Sequence, residues 1–494
     1  MTASELCFVL PSPGRPPTTP SMTASELCFL PATELAELVR SRRASAVELM
    51  QAHIAQIERV NPEVNAIVTF HPERSLERAR QADARQARGE PLHLLHGLPT
   101  AHKDLLPTRG VRTTWGSPIY RDFVPDEDAL IVERQAAAGA ISVGKTNTPE
   151  FGAGAQTFNA VFGATRNPYD LQRTCGGSSG GAAVALACGM VPIADGSDLG
   201  GSLRNPASFC NVVGLRGSAG RVPRHPTTLA WNTLSVDGAM GRTVEDVALL
   251  MQAISGPDAR APLSLAEPGS LFARPLARDF AGTRIAWAPA LGGLAPVDAR
   301  VAAAIDAQRP TFEALGCRTE EAIADFSDAR EIFHVQRAMI FAAGHGEHLR
   351  QHRELLKDTV IWNVEQGLAL TAGQIAAAEL KRTQLFRRVH GFFERYEFLV
   401  LPTAQVLPFP VEQQWVQEID GRPMADYLEW MTSCWLITVT GHPAVSVPCG
   451  FSAEGLPVGV QIVGRYRDDF GVLQLAYAFQ QATQFWRQAP RIAL

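Results

Sequence analysis

Residues 175–181 read Cys-Gly-Gly-Ser-Ser-Gly-Gly, and a second glycine box at residues 200–204 reads Gly-Gly-Ser-Leu-Arg. Glycine permits tight turns and close backbone approach, so each box can hold a serine in a sharply bent loop. Successive N–H groups of such a loop can converge on one point and stabilise the oxyanion of a tetrahedral intermediate. Two serines in loops of this kind indicate a hydrolase.

A rare lysine lies upstream in residues 97–104, Gly-Leu-Pro-Thr-Ala-His-Lys-Asp. The chain contains only four lysines, Lys103, Lys145, Lys357 and Lys381, and its other basic residues are arginine. Arginine stays protonated in proteins, whereas a buried lysine can lose its proton and act as a base. Lys103 and, less directly, Lys145 are therefore candidate bases, and the alternative is that either is a charged lysine in an ion pair.

Two other interpretations of the glycine boxes are weaker. Residues 176–180 match the Gly-x-Ser-x-Gly nucleophile elbow, which would make Ser178 the nucleophile of an α/β-hydrolase. That motif should follow a buried strand, but residues 166–174 are polar and interrupted by proline. In addition, no histidine lies in a sequence motif that would mark it as the base for such a serine. A phosphate-binding loop is disfavoured because the order Gly-x-x-x-x-Gly-Lys-Ser/Thr is absent from the sequence.

With these residues assembled, the chain resembles the amidase signature family of Ser-Ser-Lys hydrolases. The resemblance spans about residues 30 to 482 and is least distinctive from 255 to 395. Beyond the two serine boxes, the similar stretches are residues 144–151, 165–168, 214–216, 220–223, 401–403, 441–448 and 455–464.

The resemblance implies roles for individual residues. Ser202 is expected to be the acylated nucleophile, Ser178 a bridging serine after a cis peptide bond to Gly177, and Lys103 the base. The oxyanion hole is expected to consist of the backbone N–H groups of Leu199, Gly200, Gly201 and Ser202, with Asp198 and Arg204 bracing the loop. A lysine base of this kind must be desolvated and must titrate near neutral pH.

The fold class that the resemblance implies is α/β: one α/β/α domain with a large mixed, twisted sheet covered by helices on both sides. At 494 residues and 46% hydrophobic residues the chain can bury a sizeable core. We expect the domain to cover residues 22–494, with core motifs at 97–225, a variable substrate-pocket region at 255–440 and a C-terminal core block at 441–482. Residues 1–8 recur at 22–29, so residues 1–21 are predicted to be a redundant, flexible tail.

Composition limits the partners and the compartment. The net charge is −5, and the charged stretch at residues 73–90 is predicted to be a solvated helix face, so nucleic-acid binding is disfavoured. The eight cysteines form no Cys-x-x-Cys pair. The run at residues 180–194 is too short to cross a bilayer and is predicted to be a buried helix. We therefore expect a cytoplasmic monomer or homodimer that needs no cofactor and does not bind membranes.

A metal site is the alternative interpretation of one cluster. His345, Glu347, His348 and His352 lie at helical spacing and could share a helix face. Three histidines bind a metal only in a defined coordination geometry, which spacing alone does not establish. A polar helix surface is the better interpretation, so no metal is predicted.

The expected substrates are small amides, including anilides, together with carbamates (urethanes) and esters, since the chain is similar to bacterial aryl-acylamidase and urethanase members of the family. The resemblance places the substrate pocket in the variable region, where Trp362, Trp430, Met431 and Trp435 are candidate lining residues and core packing is the alternative.

Two functions from other classes remain open. The chain could be the glutaminase-type subunit of a tRNA-dependent amidotransferase, or a catalytically inactive binding protein. Residues 216–223, Arg-Gly-Ser-Ala-Gly-Arg-Val-Pro, depart from the Lys-Pro-Thr-Tyr-Gly-Arg-Val-Ser form of those subunits, which favours a free-standing hydrolase. The presence of all three relay residues disfavours the inactive protein.

Overall fold

The computed structural model describes residues 23–494, so the predicted tail at residues 1–21 lies outside the described residues. The first helix, Ala24–Phe29, lies within the second copy of the N-terminal repeat, residues 22–29. Thr23 and Glu26 cap that helix reciprocally, because each side chain accepts a hydrogen bond from the backbone N–H of the other.

Helices make up much of the chain between the strands. They are α1 (Ala24–Phe29), α2 (Ala32–Arg40), α3 (Ala46–Val64), α4 (Pro72–Ala87), α5 (Leu130–Ala137), α6 (Gly180–Ala187), α7 (Arg204–Phe209), α8 (Val244–Ile254), α9 (Ala299–Asp306), α10 (Arg309–Ala314), α11 (Ala329–His352), α12 (Asp358–Leu368), α13 (Ala372–Arg395), α14 (Thr432–Thr440) and α15 (Asp469–Thr483).

Strands form one large sheet and three short ribbons. They are β1 (Ile67–Phe70), β2 (Pro99–Lys103), β3 (Ile141–Thr146), β4 (Phe158–Asn159), β5 (Gly163–Ala164), β6 (Arg166–Asn167), β7 (Asp170–Thr174), β8 (Ile193–Asp198), β9 (Val213–Arg216), β10 (Val236–Gly241), β11 (Arg284–Trp287), β12 (Arg318–Glu321), β13 (Phe398–Pro402), β14 (Glu418–Ile419), β15 (Arg422–Pro423), β16 (Ala444–Phe451) and β17 (Pro457–Gly464).

The large sheet has eleven strands in the order β1-β3-β2-β8-β10-β9-β16-β17-β13-β11-β12. Strand β2 is parallel to β3 and β8, and β11 is parallel to β12 and β13, while the other neighbours are antiparallel. The sheet is therefore mixed, as expected.

Alternating side chains divide the core into two halves, one on each face of the sheet. Along β13, Phe398 and Val400 pack in one hydrophobic cluster, whereas Leu399 and Leu401 pack in the other. Successive residues of a strand point to opposite faces, so each cluster lies between the sheet and its own layer of helices. Helices α3, α6, α13 and α14 cover one face, and α2, α8 and α15 cover the other. The predicted α/β/α architecture is confirmed.

Two local predictions can be compared with the structure. The charged stretch at residues 73–90 forms most of α4, which exposes most of its charged residues and buries Ser75, Ala79 and Gln86, so the solvated helix face is confirmed. Asp83 is half-buried, because it accepts hydrogen bonds from the backbone at the start of α3. The sequence predicts one buried helix over residues 180–194, but α6 ends at Ala187 and β8 begins at Ile193. The helix is shorter because a positive φ at Gly189 turns the chain into the strand.

The seven cysteines of the described residues are all buried and free. Among residues 23–494, no helix is long and apolar enough to cross a membrane.

Packing of α6 can be tested at Leu186, which is fully buried. Leu186→Ala should lower the free energy of unfolding by about 2–5 kcal/mol, because it removes buried methyl groups and leaves a cavity. Leu380→Ala on α13 is the matched control, since that leucine is 68% exposed and its truncation should cost no more than about 0.5 kcal/mol. Urea unfolding followed by tryptophan fluorescence measures both. Equal midpoints for the two variants would contradict the burial of α6.

Candidate active site

Lys103 is the last residue of β2, and its side chain is completely buried beside the first glycine box. Its Nζ lies 2.8 Å from Oγ of Ser178 and 2.9 Å from Oγ of Ser179. The hydroxyl and carbonyl oxygens of Ser197 lie 3.1 and 3.4 Å away. The amine therefore faces hydroxyl groups and a carbonyl oxygen, with no carboxylate of residues 23–494 within ion-pair distance.

Burial lowers the pKa of Lys103 to about 7, because desolvation disfavours the charged ammonium. The negative charges of Asp198, Asp237 and Asp195 oppose this effect without cancelling it. At neutral pH a substantial fraction of the amine is thus unprotonated and able to accept a proton from a neighbouring hydroxyl.

Lys145, the second candidate base, has a different environment. Its Nζ is buried and donates to the carbonyl of Leu106 and, at 2.8 Å, to Oγ1 of Thr108. Burial lowers the pKa of Lys145 to about 8. Its hydrogen bonds hold the loop after β2 rather than reaching either serine box.

Ser178 lies in the turn that leads into α6, and the peptide bond between Gly177 and Ser178 is cis. The helix begins with two glycines because there is no room for side chains. A Cβ on Gly180 would lie 2.2 Å from Oγ1 of Thr157, and one on Gly181 would lie 2.3 Å from the backbone N of Asn147. This close packing fixes the serine turn against the loop that follows β3.

The second glycine box connects β8 to α7, and a buried charge cluster holds it. Arg204 donates to both oxygens of the Asp198 carboxylate at 3.0 Å, and Arg216 donates to one of them at 3.1 Å. Burial disfavours the charged carboxylate, but these two guanidinium groups hold the pKa of Asp198 well below its usual value. The loop is thus braced by Asp198 and Arg204, in the positions that the sequence predicted for loop support.

One predicted oxyanion donor is otherwise engaged. The N–H of Gly201 donates to the carboxylate of Asp198 at 2.9 Å, so it points into the loop's own support. Within residues 23–494, the N–H groups of Leu199, Gly200 and Ser202 make no such bond and are free to meet a ligand oxygen. The donor set inferred from the sequence is corrected accordingly, because the box must use one of its N–H groups to hold its shape.

The two serine boxes are joined directly. The backbone N–H of Ser179 donates to the carbonyl of Ser202 at 3.1 Å. The side chains of Ser178, Ser197 and Ser202 line the same cavity, whereas Lys103 lies behind Ser178. The structure therefore brings together the lysine and both predicted serines at one cavity wall.

Sequence reasoning missed three polar residues at this site. Ser179 and Ser197 share the amine of Lys103 with Ser178, and Asp195 accepts hydrogen bonds from the backbone N–H of Lys103 and from His102 and Gln135. Ser179 is adjacent to Ser178 in the sequence, and the geometry shows that the lysine reaches the hydroxyl oxygens of both. Asp195 is a completely buried carboxylate within the strand β8, and a buried charge needs partners, which is a signal that could have identified it.

The cavity has a volume of about 700 Å³. Four segments besides the serine boxes form most of its walls: the loop after β2 through Trp115 and Tyr120, the loop after β3 through Phe151, the loop before β10 from Arg224 to Ser235, and one face of α11. Phe151 and Phe341 add apolar surface. A cavity of this size holds a small organic molecule rather than a protein chain.

The predicted pocket residues lie elsewhere. Trp430, Met431 and Trp435 are buried in the core, where the Trp430 ring packs against Phe409 at a centroid distance of 5.2 Å. Trp362 packs against the same core. None of these four side chains lines the cavity, so this part of the prediction is wrong, because their apolar surface is used in packing between helices and sheet.

The histidine cluster on α11 faces the cavity only in part. His345 and His348 line it, with their Nδ1 atoms 3.2 Å apart, and Oη of Tyr120 lies 2.8 Å from Nε2 of His348. Burial lowers the pKa of His345 to about 3 and also lowers that of His348, so both rings are neutral at pH 7. Among the described residues, no group of three His, Cys, Asp or Glu is arranged to hold a metal ion.

The nucleophile-elbow interpretation is not supported by the surroundings of Ser178. The residues before the glycine box form β7, which pairs with β6 in a short ribbon outside the large sheet and also bonds to the backbone of residues 409–411. Ser178 therefore does not follow a core strand as an elbow serine does.

Comparison with known proteins agrees with this geometry. A family model described as Amidase matches residues 48–473. An acylamidase of Rhodococcus erythropolis is 34% identical over 96% of this chain and 99% of its own length. A glutamyl-tRNA(Gln) amidotransferase subunit from Moorella thermoacetica is 37% identical over 95% of this chain and all of its own. The crystal structure of a bacterial aryl acylamidase belonging to the amidase signature enzymes superposes with a TM-score of 0.87 at 29% identity, covering 93% of this chain and 98% of that one.

The family match spans most of the chain, and both relatives align over nearly their full lengths. This chain belongs to the amidase signature family and is a hydrolase of carbon–nitrogen bonds in amides.

Proposed function

We propose that this amidase cleaves its substrate through an acyl-enzyme on Ser202, with Ser178 and Lys103 as a proton relay. The observation that carries the proposal is the 2.8 Å approach of a buried lysine amine, with a pKa of about 7, to the hydroxyl of Ser178 at the cavity wall. A neutral amine in that position can draw the serine proton, which a charged ammonium cannot.

The relay runs in both directions. Lys103 takes the proton of Ser178 while Ser178 takes that of Ser202, and Oγ of Ser202 forms a bond to the substrate carbonyl carbon. The relay then returns a proton to the leaving nitrogen as the C–N bond breaks. Water is deprotonated by the same route, attacks the acyl carbon, and releases the acid with Ser202 restored.

Charge on the carbonyl oxygen is stabilised by the free N–H groups of the second glycine box. Leu199, Gly200 and Ser202 supply these donors, and the Asp198–Arg204 pair keeps the loop rigid. Donors fixed in advance need no reorganisation during the reaction, and each contributes roughly 3–4 kcal/mol in known hydrolases.

We propose anilides and aryl carbamates as the preferred substrates, with aryl esters also accepted. Aromatic side chains on the cavity wall support this choice: Trp115, Tyr120, Phe151 and Phe341. With a carbamate, Ser202 attacks the urethane carbonyl and expels either the amine or the alcohol. Water then clears the resulting carbonate or carbamoyl ester, so the same relay suffices for amides and carbamates.

A glutaminase role is the second candidate, because the Moorella thermoacetica protein is 37% identical over its whole length. An amidotransferase component of that kind would hydrolyse glutamine and pass ammonia to a partner. The aromatic walls of the cavity fit an aryl group better than the polar side chain of glutamine. The free-standing hydrolase is therefore the favoured proposal.

Fluorophosphonate labelling tests the nucleophile. Ser202 should carry the adduct in peptide-level mass spectrometry, and Ser202→Ala should abolish labelling and lower kcat/KM by roughly 10⁴-fold or more. Ser178→Ala should lower the labelling rate severely without moving the adduct. An adduct on Ser178 in the unmodified enzyme would overturn the assignment.

The pH profile tests the base. Since Lys103 must be neutral and its pKa is about 7, kcat/KM should be level above that pH and fall about tenfold per unit below it. Lys103→Ala should lose roughly 10²–10⁴-fold of the activity at pH 8. The matched control is Lys381→Ala, a half-buried lysine on α13 that pairs with Glu331 away from the cavity, which should retain full activity. A profile that stays level to about pH 5 would rule out Lys103 as a neutral base.

A substrate panel separates the two candidate functions. The purified protein alone should release aniline from acetanilide and from ethyl N-phenylcarbamate with higher kcat/KM than it releases ammonia from glutamine. Glutamine hydrolysis that appears only when other amidotransferase subunits are added, with no turnover of the aryl substrates, would favour the second candidate.

A further inference from the structure

One face of α11 forms a wall of the active-site cavity. Its lining residues are Arg337, Ile340, Phe341, Gly344, His345 and His348. Their spacing of three and four residues is that of a single helix face. Among them Arg337 is unusual, because it is a guanidinium with only 4% of its surface exposed.

Neutral groups hold Arg337 in place. Its Nε donates to Oδ1 of Asn363 at 3.1 Å, and its Nη2 donates to Oη of Tyr427 at 2.8 Å. The guanidinium also lies over the ring of Phe341, 4.6 Å from the centroid. Nη1 makes no hydrogen bond with another residue in the part of the chain that the structure describes.

No carboxylate balances this charge. Within residues 23–494, Arg337 has no Asp or Glu oxygen within ion-pair distance. Two carboxylates of neighbouring segments are engaged elsewhere. Glu150 accepts from Oγ of Ser117 at 2.6 Å and from the N–H of Lys357 at 2.7 Å, and Asp426 lies 3.7 Å from both Arg330 and His334.

The other charged groups of the cavity do not compensate either. Arg224 lies 3.2 Å from the carboxylate of Asp237, so these two balance each other. His345 and His348 are neutral at pH 7 because burial lowers the pKa of each. An isolated buried charge is costly unless an opposite charge meets it. An anion bound in the cavity would supply the opposite charge that Arg337 lacks among residues 23–494.

The geometry of the guanidinium suits a carboxylate. A guanidinium has five N–H donors, and the two hydrogen bonds to Asn363 and Tyr427 use one on Nε and one on Nη2. Both donors of Nη1 and the second donor of Nη2 remain. One N–H group of Nη1 and one of Nη2 point in parallel from the same edge of the guanidinium, and such a pair matches the two oxygens of a carboxylate.

We propose that Arg337 recognises a carboxylate on the substrate, so that the preferred amides or carbamates carry an acidic group away from the scissile bond. The inference rests on the proposed function and adds the substrate class. Arg337 is then a specificity-determining residue, while the relay acts on the carbonyl. A neutral carbonyl oxygen at the same place is the alternative ligand, and the experiment distinguishes the two.

Two matched pairs of substrates test the proposal. In the first pair, glutaric acid mono-para-nitroanilide is compared with its methyl ketone isostere, which places the acidic group in the acyl part. In the second pair, para-acetamidobenzoate is compared with para-acetamidoacetophenone, which places it in the leaving group. We expect kcat/KM to favour the carboxylate at least tenfold in one of the two pairs.

Substitution of the arginine gives the decisive comparison. Arg337→Gln should lower kcat/KM for the favoured carboxylate about 10- to 100-fold, mainly through KM, and change its neutral isostere less than about threefold. Arg337→Lys should restore part of the preference. Arg330→Gln is the matched control, because Arg330 lies on the same helix and pairs with Asp426 and Glu429 outside the cavity. It should leave both substrates unchanged.

Three outcomes overturn the inference. The first is the absence of a carboxylate preference in either pair, which shows that the ligand oxygen is neutral. The second is an equal loss for both members of a pair in Arg337→Gln and Arg337→Lys, which shows a structural role. If no substrate is turned over, the proposed function fails. The inference about Arg337 is then tested separately by calorimetric titration, which measures the affinity of Ser202→Ala for para-acetamidobenzoate and for para-acetamidoacetophenone. Equal affinity for the two compounds is then the third outcome.

Discussion

The burial of the Lys103 amine among hydroxyl groups is the constraint on which the site depends. A carboxylate in direct contact would keep the lysine charged and useless as a base. The carboxylate of Asp195 instead accepts hydrogen bonds from the backbone N–H of Lys103 and from the ring of His102, and the carboxylate of Asp198 pairs with Arg204. Both acids therefore act on the amine only from a distance, and their attraction is too weak to offset desolvation. The outcome is a pKa of about 7.

Close packing of backbone makes this arrangement possible. Gly181 brings the start of α6 against the loop after β3, where an added Cβ would lie 2.3 Å from the backbone N of Asn147. Gly201 has a φ of +117° and would place a Cβ 2.5 Å from that of Cys434. Both serine loops are thus pressed against neighbouring elements, and a hydrogen bond between Ser179 and Ser202 joins them. Such contacts require glycine, which explains why the boxes are recognisable in the sequence.

The fold class followed from the family resemblance, whereas Lys103, Ser178 and Ser202 could be singled out because their signals are local. A glycine box needs glycine at fixed positions, and a lysine in an arginine-rich chain indicates chemistry that arginine cannot perform. The cavity walls could not be predicted in this way. Trp430 and Phe341 are both large apolar residues of the variable region, yet one packs in the core and the other lines the cavity. Their difference arises from how α11 and the turn before α14 pack on the rest of the protein, which no local pattern records. The engagement of the Gly201 N–H was missed for the same reason.

Machinery and selectivity are separated in this molecule. The proposed relay groups lie at the end of β2, at the start of α6 and in the loop between β8 and α7, and they carry no fixed charge when Lys103 is neutral. An uncharged relay treats anionic and neutral amides alike, so discrimination must come from the walls. Of the arginines there, Arg224 has Asp237 as its partner, whereas the partners of Arg337 within residues 23–494 are neutral. An unbalanced cation in the wall raises the free energy of the protein when no anion is bound, and a bound anion removes that cost. Anionic substrates therefore gain binding free energy that neutral ones do not, and this difference is the physical basis of selectivity.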